Sequence, residues 1–558
     1  GPMSDPVTEY AQRVVDGKED PVCNYHRLAC ERHLRDLEKG HYIWDAYLAT
    51  WPVEFIELLK HWKGKQFAGK PVVLEPWQVF IVGSVFGWKN SDGSRRFKEV
   101  YVEVPRKNGK TLFAGGVGLF GLIADGEEGP EIYSVATKKD QASICWKDAQ
   151  KMLDKTPTLK QRCISNRVAI SYPENNGIFQ PLSRDTKSLD GLNPSLAILD
   201  EFHAYEDPES YNQMNDAMGA REQPLMWEIT TAGSNFEGIC YSIRDHLISI
   251  LEGNKDGSYV DEGFFGIIFT LDEGDDWRDE SVWKKANPNL DVSKSREYLR
   301  RQVQKAEQIS TVRQAVKIKQ FNLWTDSGDS WLQMDHWRKC AQPYDLGVLT
   351  GERCYMGIDL SSNEDLTAVV CLFPPGPYPE WTLHPTFYLP EDNLQKKGEK
   401  DKIAYTDWKA RGFLKTTPGN RVDYDFIVAD ILEMSEQFDI VDVGYDPWKA
   451  TQIAGQLENE GLKMFQMRQG AGTMGEPTAD FERKVLGHEF RHGGNPVLQW
   501  MARNTVLRYD ANQNGVPDKK KARKRIDGIV ASIMALGRAL VADDKGTIYE
   551  KRGFIEDY

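Results

Sequence analysis

The chain has 558 residues, of which 40% are hydrophobic and 28% are charged, and its formal net charge is −14 at pH 7. This length exceeds what one hydrophobic core serves, so we expect two or three domains of a globular protein. The negative charge argues against a protein that coats nucleic acid in bulk, although local basic patches remain compatible with DNA contact.

The beginning of the chain is polar and acidic, and no apolar run is long enough to span a bilayer. We therefore expect a cytosolic protein without a signal peptide or a membrane span. Eight cysteines without a C-x-x-C pair favour a reducing compartment with buried thiols. Gly1 and Pro2 before Met3 are typical of the remnant of an expression tag, and we set them aside.

We predict a helical segment over residues 1–64, where apolar positions recur at helical spacing between charged ones. Within it, Cys23, His26, Cys30 and His33 are residue types that bind zinc. Their spacing places all four along one face of a single helix, which cannot surround one ion tetrahedrally. An ordinary amphipathic helix is therefore the favoured interpretation.

The run Leu74-Glu75-Pro76-Trp77-Gln78 is a proline-marked helix start ahead of apolar residues. If a nucleotide loop follows, Gln78 can bind an adenine edge, because its amide is both donor and acceptor. An ordinary surface glutamine is the more common alternative.

A β-branched run over residues 100–104 predicts a strand, and a turn then leads Gly109, Lys110 and Thr111 into an apolar helix. In this order, backbone N–H groups at the helix start point at a phosphate, and Lys110 neutralises the outer phosphates. The Thr111 hydroxyl can hold Mg²⁺. The first glycine of the nucleotide-binding pattern falls on Val104, so the motif alone also fits an ordinary strand, turn and helix.

A short apolar run, Leu196 to Leu199, has the character of a buried parallel strand and ends in Asp200 and Glu201. Asp200 is then placed to hold Mg²⁺ through water, and Glu201 to polarise the water that attacks the γ-phosphate. Together with Gly-Lys-Thr upstream, this pair of acids predicts an ATPase.

The next apolar strand ends in Thr230 and Thr231, whose hydroxyls could sense the γ-phosphate; a polar strand exit is the alternative. We predict an ATPase domain over 65–325, with a lid or linker subdomain around 235–325. This subdomain contains a long charged helical stretch, Ser293 to Phe321. Turn-forming residues follow, and 326–350 are predicted to be a linker.

The second half carries three aspartates on separate predicted elements, two on strands and one at the start of a helix. Asp359 lies in the first strand of a hairpin over Cys354 to Leu372, Asp446 follows the strand Ile440 to Tyr445, and Asp527 opens an apolar helix. A buried carboxylate needs a partner, and a metal ion supplies one. Three such acids on separate elements predict a nuclease site that binds a pair of divalent ions.

Asp365, in the turn of the hairpin, is a candidate fourth ligand, with an ordinary turn acid as the more common role. A basic run before Asp527 predicts a DNA grip, with a solvated charged loop as the alternative. Its members are Lys519, Lys520, Lys521, Arg523, Lys524 and Arg525.

Two other patterns are weaker. Residues 488–492 read His-Glu-Phe-Arg-His, but Gly493 and Pro496 interrupt the helix that a zinc protease needs. Residues 510–515 resemble the start of a calcium loop, whose closing acid would fall on Lys521. A hairpin turn explains this second pattern better.

The order of these motifs is similar to that of the large terminase subunits of tailed double-stranded DNA bacteriophages, over nearly the whole chain. The family's phosphate loop carries an arginine at the place of Arg106, which accounts for the absent first glycine. The motifs that carry the resemblance are Leu74-Glu75-Pro76-Trp77-Gln78, Pro105 to Thr111, Leu199-Asp200-Glu201, Thr230-Thr231-Ala232, Asn322-Leu323-Trp324, Gly357-Ile358-Asp359, Tyr445-Asp446 and Arg525-Ile526-Asp527-Gly528.

The resemblance implies an α/β protein: a P-loop, RecA/ASCE-like ATPase domain on a mostly parallel sheet, then an RNase H-like mixed α/β nuclease domain. We place the nuclease domain at 351–545 and a C-terminal tail at 546–558. Arg106 would contact the phosphates and stabilise charge on the γ-phosphoryl group. The nuclease acids would be Asp359, Asp446 and Asp527. The implied nucleotide contacts are Gln78, Arg106, Lys107, Asn108, Gly109, Lys110, Thr111, Asp200, Thr230 and Thr231.

The implied function is packaging of viral DNA into a procapsid, powered by ATP with Mg²⁺, and cutting of the concatemeric genome with two Mg²⁺ or Mn²⁺ ions. The implied partners are double-stranded DNA, the portal protein, a small terminase subunit and further copies of the chain in a pentameric ring. No membrane is involved, and the implied location is the cytoplasm of the infected host rather than the mature virion. An arginine from a neighbouring copy could complete the ATP site, and Arg184 and Arg221 are the candidates.

Two rival functions remain at this point. A helicase–nuclease of repair or restriction would need a second RecA-like lobe, and no second set of helicase motifs is present between Trp324 and the predicted nuclease strands. A portal-binding scaffold with degenerate sites is the rival from another class. The intact Lys110, Asp200 and Glu201 argue against it.

Overall fold

The computed structural model describes residues 4–183, 191–253, 260–325, 331–360, 366–401, 403, 405–448, 450–522 and 524–553, with backbone only at 139, 140, 183, 310 and 544–553. The chain divides into two compact units, Gly1–Gly328 and Asp329–Tyr558. Among the described helices, none combines the length and apolarity needed to cross a bilayer.

The first unit combines short strands with helices over its described ranges. The strands are β1 (Ile43–Trp44), β2 (Trp88–Lys89), β3 (Glu99–Glu103), β4 (Glu131–Ala136), β5 (Ile164–Ser165), β6 (Ile170–Tyr172), β7 (Gly177–Ser183), β8 (Leu196–Asp200), β9 (Leu225–Thr230) and β10 (Phe264–Ile268). The helices are α1 (Pro6–Val15), α2 (Asn24–Lys39), α3 (Ala46–Leu58), α4 (Pro76–Gly87), α5 (Lys110–Ile123), α6 (Lys139–Asp154), α7 (Pro157–Lys160), α8 (Glu209–Ala217), α9 (Ile239–Glu252), α10 (Trp283–Ala286), α11 (Arg296–Gln308) and α12 (Ser310–Phe321).

The main sheet of this unit has the strand order β10-β3-β9-β8-β4-β7-β6-β5. Pairing is parallel from β10 to β7, and β6 and β5 add an antiparallel edge. The predicted mostly parallel sheet is therefore confirmed. Glu103 lies opposite Thr230, and Asp200 lies opposite Ile229. The carboxyl ends of β3, β9 and β8 thus meet at one edge, where the phosphate loop begins.

The N-terminal helices share the core of this sheet. Val7 of α1 and Ile56 of α3 belong to the same buried cluster as Phe80 and Val102. The helices α1, α2 and α3 of the segment 1–64, which the sequence sets apart, are thus packed into the first unit. The two histidines of α2 are buried and make hydrogen bonds within the core. His26 Nε2 lies 2.9 Å from the Tyr10 hydroxyl, and His33 Nδ1 accepts from the indole N–H of Trp88 at 3.1 Å.

The charged stretch from Ser293 to Phe321, predicted to be helical, consists of the two helices α11 and α12. Ile309 separates them with an extended backbone, at φ −118° and ψ 102°. At its other end, α12 stops at Asn322, which adopts a left-handed conformation with φ 51°. The side chain of Asn322 accepts from the N–H of Ala232 at 2.9 Å and donates to the carbonyl of Phe269 at 2.8 Å. It thereby ties the end of α12 to the segments that follow β9 and β10.

The second unit has its own mixed sheet, again within the described ranges. Its strands are β11 (Arg353–Asp359), β12 (Thr367–Phe373), β13 (Trp381–Pro390), β14 (Lys415–Thr417), β15 (Asp439–Tyr445), β16 (Met464–Gln466), β17 (Phe490–Arg491), β18 (Leu507–Tyr509) and β19 (Gly515–Pro517). Its helices are α13 (Met334–Lys339), α14 (Leu394–Asp401), α15 (Tyr405–Ala410), α16 (Tyr424–Gln437), α17 (Thr451–Asn459), α18 (Ala471–Leu486), α19 (Pro496–Asn504) and α20 (Asp527–Gly553).

In this sheet the order is β14-β13-β12-β11-β15-β16, with β17 beside β13. Strands β11 and β12 form the predicted antiparallel hairpin, and β15 runs parallel to β11. Helix α20 packs closely on β11 because Gly357 has no side chain. A Cβ there would lie 1.9 Å from the carbonyl oxygen of Ala531. This close approach sets the distance between the start of α20 and the end of β11.

The two weaker patterns form ordinary structure. Residues 490–491 are a strand, and His492 is buried with Nε2 2.7 Å from the carbonyl oxygen of Trp337, so the helical zinc-protease geometry is not formed. The calcium-like segment is the turn of the β18–β19 hairpin, in which Tyr509 lies opposite Gly515.

Candidate active sites

The phosphate loop of the first unit is shaped by two residues with left-handed backbones. Lys107 has φ 65°, and Gly109, the residue that precedes α5, has φ 77°. The turn brings the first N–H groups of α5, which have no partners within the helix, to the opening of the loop. These donors, together with Lys110 at the first helical position, fit the phosphates of a nucleotide.

The loop is fixed from behind by Asn108, whose side chain is fully buried. Its amide group donates to the carbonyl of Pro105 and to Oδ1 of Asn287, both at 3.1 Å. Its Oδ1 accepts from the N–H of Asn289 at 3.0 Å. The side chain of Asn108 is thus committed to the support of the loop, and the predicted nucleotide contact is left to its backbone. Asn287 and Asn289 were not singled out by sequence analysis.

Gln78 lies beside the loop and is buried, at 4% exposure, so the alternative of a surface glutamine is wrong. Its Oε1 accepts from the N–H of Glu75 at 2.8 Å and completes a capping box at the start of α4. Its Nε2 lies 3.6 Å from the point where a Cβ on Gly109 would stand. The amide donor therefore remains next to the loop, as a nucleotide contact requires.

Lys110 and Glu201 form an ion pair at the carboxyl edge of the sheet. Glu201 follows β8 in a left-handed conformation, with φ 49°, which costs a non-glycine residue free energy and aims its side chain at the loop. Burial alone would raise the pKa of Glu201, but the charge and hydrogen bond of Lys110 outweigh it, and the pKa is lowered to about 2. Glu201 is therefore a carboxylate at neutral pH.

Asp200 ends β8 and is almost fully buried. Its burial raises the pKa, and the charge of Lys110 opposes that rise. Its Oδ1 accepts from the N–H of Glu201 at 2.9 Å. Thr111 lies half-buried in the first turn of α5. A hydroxyl and a carboxylate are the oxygen ligands that Mg²⁺ prefers, so these two residues suit the ion of a nucleotide site.

A network that sequence analysis missed joins this edge to α12. Lys319 of α12 donates from Nζ to Nε2 of His203 at 3.0 Å and to Oγ1 of Thr231 at 3.2 Å. His203 Nδ1 lies 3.1 Å from Oγ1 of Thr230 and 3.6 Å from Oε2 of Glu201. Both threonines predicted as sensors are fully buried in this network. No sequence signal marks Lys319, which is one of many charged residues in its helical stretch.

The basic residues predicted to contact the nucleotide, from this chain or from a neighbouring copy, lie in different surroundings. Arg106 has an exposed side chain at the loop, and its N–H bonds the carbonyl of Lys319 at 3.0 Å. Lys107 is also exposed, with Nζ 5.0 Å from the centre of the Tyr298 ring. Arg221 donates to the carbonyls of residues 128, 129 and 193 of its own chain, which commits its guanidinium to holding loops together. Arg184 lies outside the described residues.

In the second unit, Asp359 and Asp527 face one another across an ammonium group. Asp359 ends β11, Asp527 opens α20, and both are buried. Lys519 Nζ donates to Oδ2 of Asp359 at 2.6 Å and to Oδ1 of Asp527 at 3.3 Å. Two carboxylates from distant parts of the chain thus share one cation. Their hard oxygen donors also suit Mg²⁺ or Mn²⁺.

Asp446 follows β15 at the same edge of the sheet. Ile358 lies opposite Tyr445 in the parallel pair β11–β15, so Asp359 and Asp446 leave neighbouring strands side by side. Oδ1 of Asp446 accepts from the N–H of Trp448 at 3.1 Å. Over the described ranges, no group of three or more Asp, Glu, His or Cys side chains is arranged to hold a metal ion. Asp359 and Asp527 therefore share Lys519 as a partner, and Asp446 follows the strand next to that of Asp359.

The residues of the basic run before Asp527 differ in their exposure and in their partners. Lys519 lies between the acids, whereas Lys520, Lys521 and Lys524 are exposed. Arg525 lies 3.9 Å from a carboxylate oxygen of Asp401. Two predicted residues, Asp365 and Arg523, lie outside the described residues.

A parallel sheet with a phosphate loop and paired acids, followed by a mixed sheet with buried aspartates, defines a nucleotide hydrolase joined to a nuclease-like domain. Models of the terminase large subunit match both parts, the ATPase domain over residues 76–248 and the endonuclease domain over residues 258–543. The second match begins before the structural division of the chain, since β10 belongs to the first sheet. The chain belongs to the terminase large subunit family.

Two relatives found by sequence support this membership. The large terminase subunit of Enterobacteria phage HK97 is 30% identical over 500 residues, covering 88% of this chain and 94% of that protein. Protein YmfN of Escherichia coli (strain K12) is 33% identical over 402 residues, covering 70% of this chain and 86% of that protein. The crystal structure of the HK97 bacteriophage large terminase matches at 29% identity and a TM-score of 0.46, covering 88% of this chain and 99% of that one.

Family membership confirms the resemblance read from the motifs, and with it the two activities, ATP hydrolysis and DNA endonuclease. The chain is the large subunit of a phage DNA-packaging motor, which uses a nucleotide and divalent metal and acts on DNA. The helicase–nuclease and the non-catalytic scaffold are set aside.

Proposed function

We propose that the first unit binds ATP at the loop over residues 105–111 and that Glu201 is the base of hydrolysis, driving double-stranded DNA into a procapsid. The observation that carries this proposal is the ion pair of Lys110 with Glu201. The cation suited to the phosphates and the carboxylate suited to the attacking water lie side by side at one edge of the sheet.

The ion pair also suggests how the base becomes active. Lys110 lowers the pKa of Glu201 to about 2, which makes the paired carboxylate a weak base. Phosphates at the loop compete for the ammonium group of Lys110. When the phosphates draw Lys110 away from Glu201, the pKa of Glu201 rises toward its ordinary value. The carboxylate then accepts a proton from water more readily. Thr111 and Asp200 would hold Mg²⁺, which would supply positive charge to the phosphates.

The remaining nucleotide contacts are proposed on the basis of their position around the loop. Arg106 is exposed there and is assigned to the charge that develops on the γ-phosphoryl group. Further contacts are assigned to Gln78, Lys107, Gly109 and the backbone of Asn108. Thr230 and Thr231 are assigned to sensing, since both lie in the network that joins Glu201 to α12.

The nuclease of the second unit is assigned to Asp359, Asp446 and Asp527, which would hold two Mg²⁺ or Mn²⁺ ions and cut the concatemeric genome. What supports this is the burial of these acids where β11, β15 and α20 meet. When bound, such ions activate water and stabilise the leaving oxygen of a phosphodiester. The exposed Lys520, Lys521 and Lys524 are assigned to the DNA backbone, together with Arg523 and Arg525.

The family supports the remaining parts of the proposal. The chain would act in the host cytoplasm as a homo-oligomeric, pentameric ring on the portal, with a small terminase subunit that selects viral DNA. Its domain limits are proposed at 65–325 for the ATPase and 351–545 for the nuclease.

Glu201→Gln tests the assignment of the base, because it keeps the shape of the side chain and removes its negative charge. We expect ATP turnover to fall by about a hundredfold or more, with nucleotide binding retained. Glu222→Gln is the matched control, since Glu222 is an exposed glutamate of the same unit. Turnover by Glu201→Gln at the parent rate would remove Glu201 from the mechanism.

A further inference from the structure

The side chain of Lys519 occupies an unusual position for a member of a basic loop. It is 34% exposed, whereas the side chains of its two partners, Asp359 and Asp527, are 1% and 4% exposed. Nζ reaches Asp359 Oδ2 at 2.6 Å and Asp527 Oδ1 at 3.3 Å. A solvated lysine of a DNA grip would point its charge outward, and this one points its charge into the acidic site.

The backbone around Lys519 is held in place, so this position is built into the fold. Asp518 accepts at Oδ1 from the N–H groups of Lys520 at 2.9 Å and Lys521 at 3.3 Å. The N–H of Asp518 in turn bonds the carbonyl of Val506 at 2.8 Å. This turn fixes the direction in which the Lys519 side chain leaves the chain.

Two buried carboxylates that meet the same ammonium group repel each other and lose hydration, so they need a positive charge nearby. The same carboxylates are the proposed ligands of a divalent ion. The ammonium group of the lysine and a metal ion therefore compete for the same carboxylate oxygens, and the two cannot bind them fully at the same time. The divalent ion brings the larger charge and the lysine is covalently attached, so the metal concentration decides which one binds the acids.

We propose that Lys519 is an internal counter-cation of the nuclease site. It holds Asp359 and Asp527 together before metal binds, and metal binding displaces its ammonium group from them. Lys519 thereby raises the metal concentration at which the nuclease is loaded. This inference rests on the proposed function, in which these aspartates bind the metal.

The test is Mn²⁺ binding to the full chain without DNA, measured by calorimetry. Lys519→Gln is expected to bind Mn²⁺ about tenfold more tightly than the parent, because the competing charge is gone. The same variant is expected to unfold at a lower temperature in EDTA and to regain stability with Mn²⁺. Lys463→Gln is the control, since Lys463 is an exposed lysine of the same unit, and it should match the parent in both measurements.

A second measurement uses the parent protein and is independent of the folding of any variant. Acetylation of lysine amines is followed by mass spectrometry in EDTA and in Mn²⁺. An amine held between two carboxylates reacts slowly, so Mn²⁺ is expected to accelerate modification of Lys519 severalfold and to leave Lys463 unchanged. Unchanged or slower modification of Lys519 would overturn the inference.

Asp359→Asn separates this inference from the function on which it rests. If that variant binds Mn²⁺ like the parent, the metal site lies elsewhere and the proposed nuclease assignment fails. If Asp359→Asn loses Mn²⁺ binding while Lys519→Gln binds no more tightly than the parent, only the role of Lys519 fails.

Discussion

Lys319 donates a hydrogen bond from Nζ to Nε2 of His203 at 3.0 Å, although 116 residues separate them in the sequence. Because Nε2 accepts this bond, the ring proton of His203 is on Nδ1, which lies 3.1 Å from Oγ1 of Thr230. The imidazole is neutral, since burial and the charge of Lys319 lower the pKa of His203 to about 3. A neutral ring thus links Glu201 to α12.

The pH dependence of stability tests this account of His203. Its pKa is about 3 in the folded protein and 6.5 ordinarily, so between these values the unfolded chain binds more protons. Stability must therefore fall as pH falls from 6.5 toward 3, by up to about 1.4 kcal/mol per pH unit from this residue. We expect His203→Gln to show a shallower fall in urea denaturation between pH 6.5 and 5.

His41→Gln provides the control for that comparison, because His41 is exposed in the same unit. Its pH dependence should follow that of the parent. Parallel curves for the parent and His203→Gln would contradict the neutral state of His203.

Lys319 is expected to position the network rather than to bind nucleotide. Burial, with the charges of Arg106 and Lys110, lowers its pKa to about 8, against the opposing charge of Glu201. As pH rises through about 8, Lys319 loses its positive charge, which weakens its hydrogen bonds to His203 and Thr231 and removes its attraction to Glu201. We predict that the ATPase rate of the parent falls over this range.

In Lys319→Ala this inflection near pH 8 should be absent, and kcat should be about tenfold lower with KM for ATP little changed. Lys305→Ala, an exposed position on the neighbouring helix α11, should keep the parent profile. An unchanged inflection in Lys319→Ala would assign it to another group.

Asn322 provides a test of how α12 is attached to the sheet. Both Asn322→Gly and Asn322→Ala lose the bonds to Ala232 and Phe269, which leaves buried backbone groups unsatisfied at a cost of about 2–4 kcal/mol in total. Alanine is also strained at φ 51°, whereas glycine is not. We predict by thermal denaturation that both variants unfold earlier than the parent and that Asn322→Ala is the less stable. The opposite order would show that the left-handed backbone is not retained.

The sequence predicted those parts of the molecule that depend on neighbours along the chain. Strand ends that carry acids, such as Asp200 and Asp446, are visible because an apolar run stops at a carboxylate. The glycine before α5 is visible because a left-handed turn requires it. The fold class followed from the order of these motifs.

The sequence did not predict residues whose role depends on distant parts of the chain. Lys319 and Lys519 each lie in charged stretches, and charge alone does not tell whether a side chain faces solvent or a buried acid. Asn287 and Asn289 support the loop from a segment far along the chain. Such pairings are set by tertiary packing, which has no local pattern.

We infer that two separate groups of acids in this protein serve two different reactions. The most direct test measures ATP turnover and divalent-dependent plasmid cleavage on the same preparations of the parent, Glu201→Gln and Asp446→Asn. We predict that Glu201→Gln loses turnover and still cuts, and that Asp446→Asn loses cutting and still hydrolyses ATP. Plasmid cleavage by Asp446→Asn at the parent rate, or ATP turnover by Glu201→Gln at the parent rate, would contradict the account.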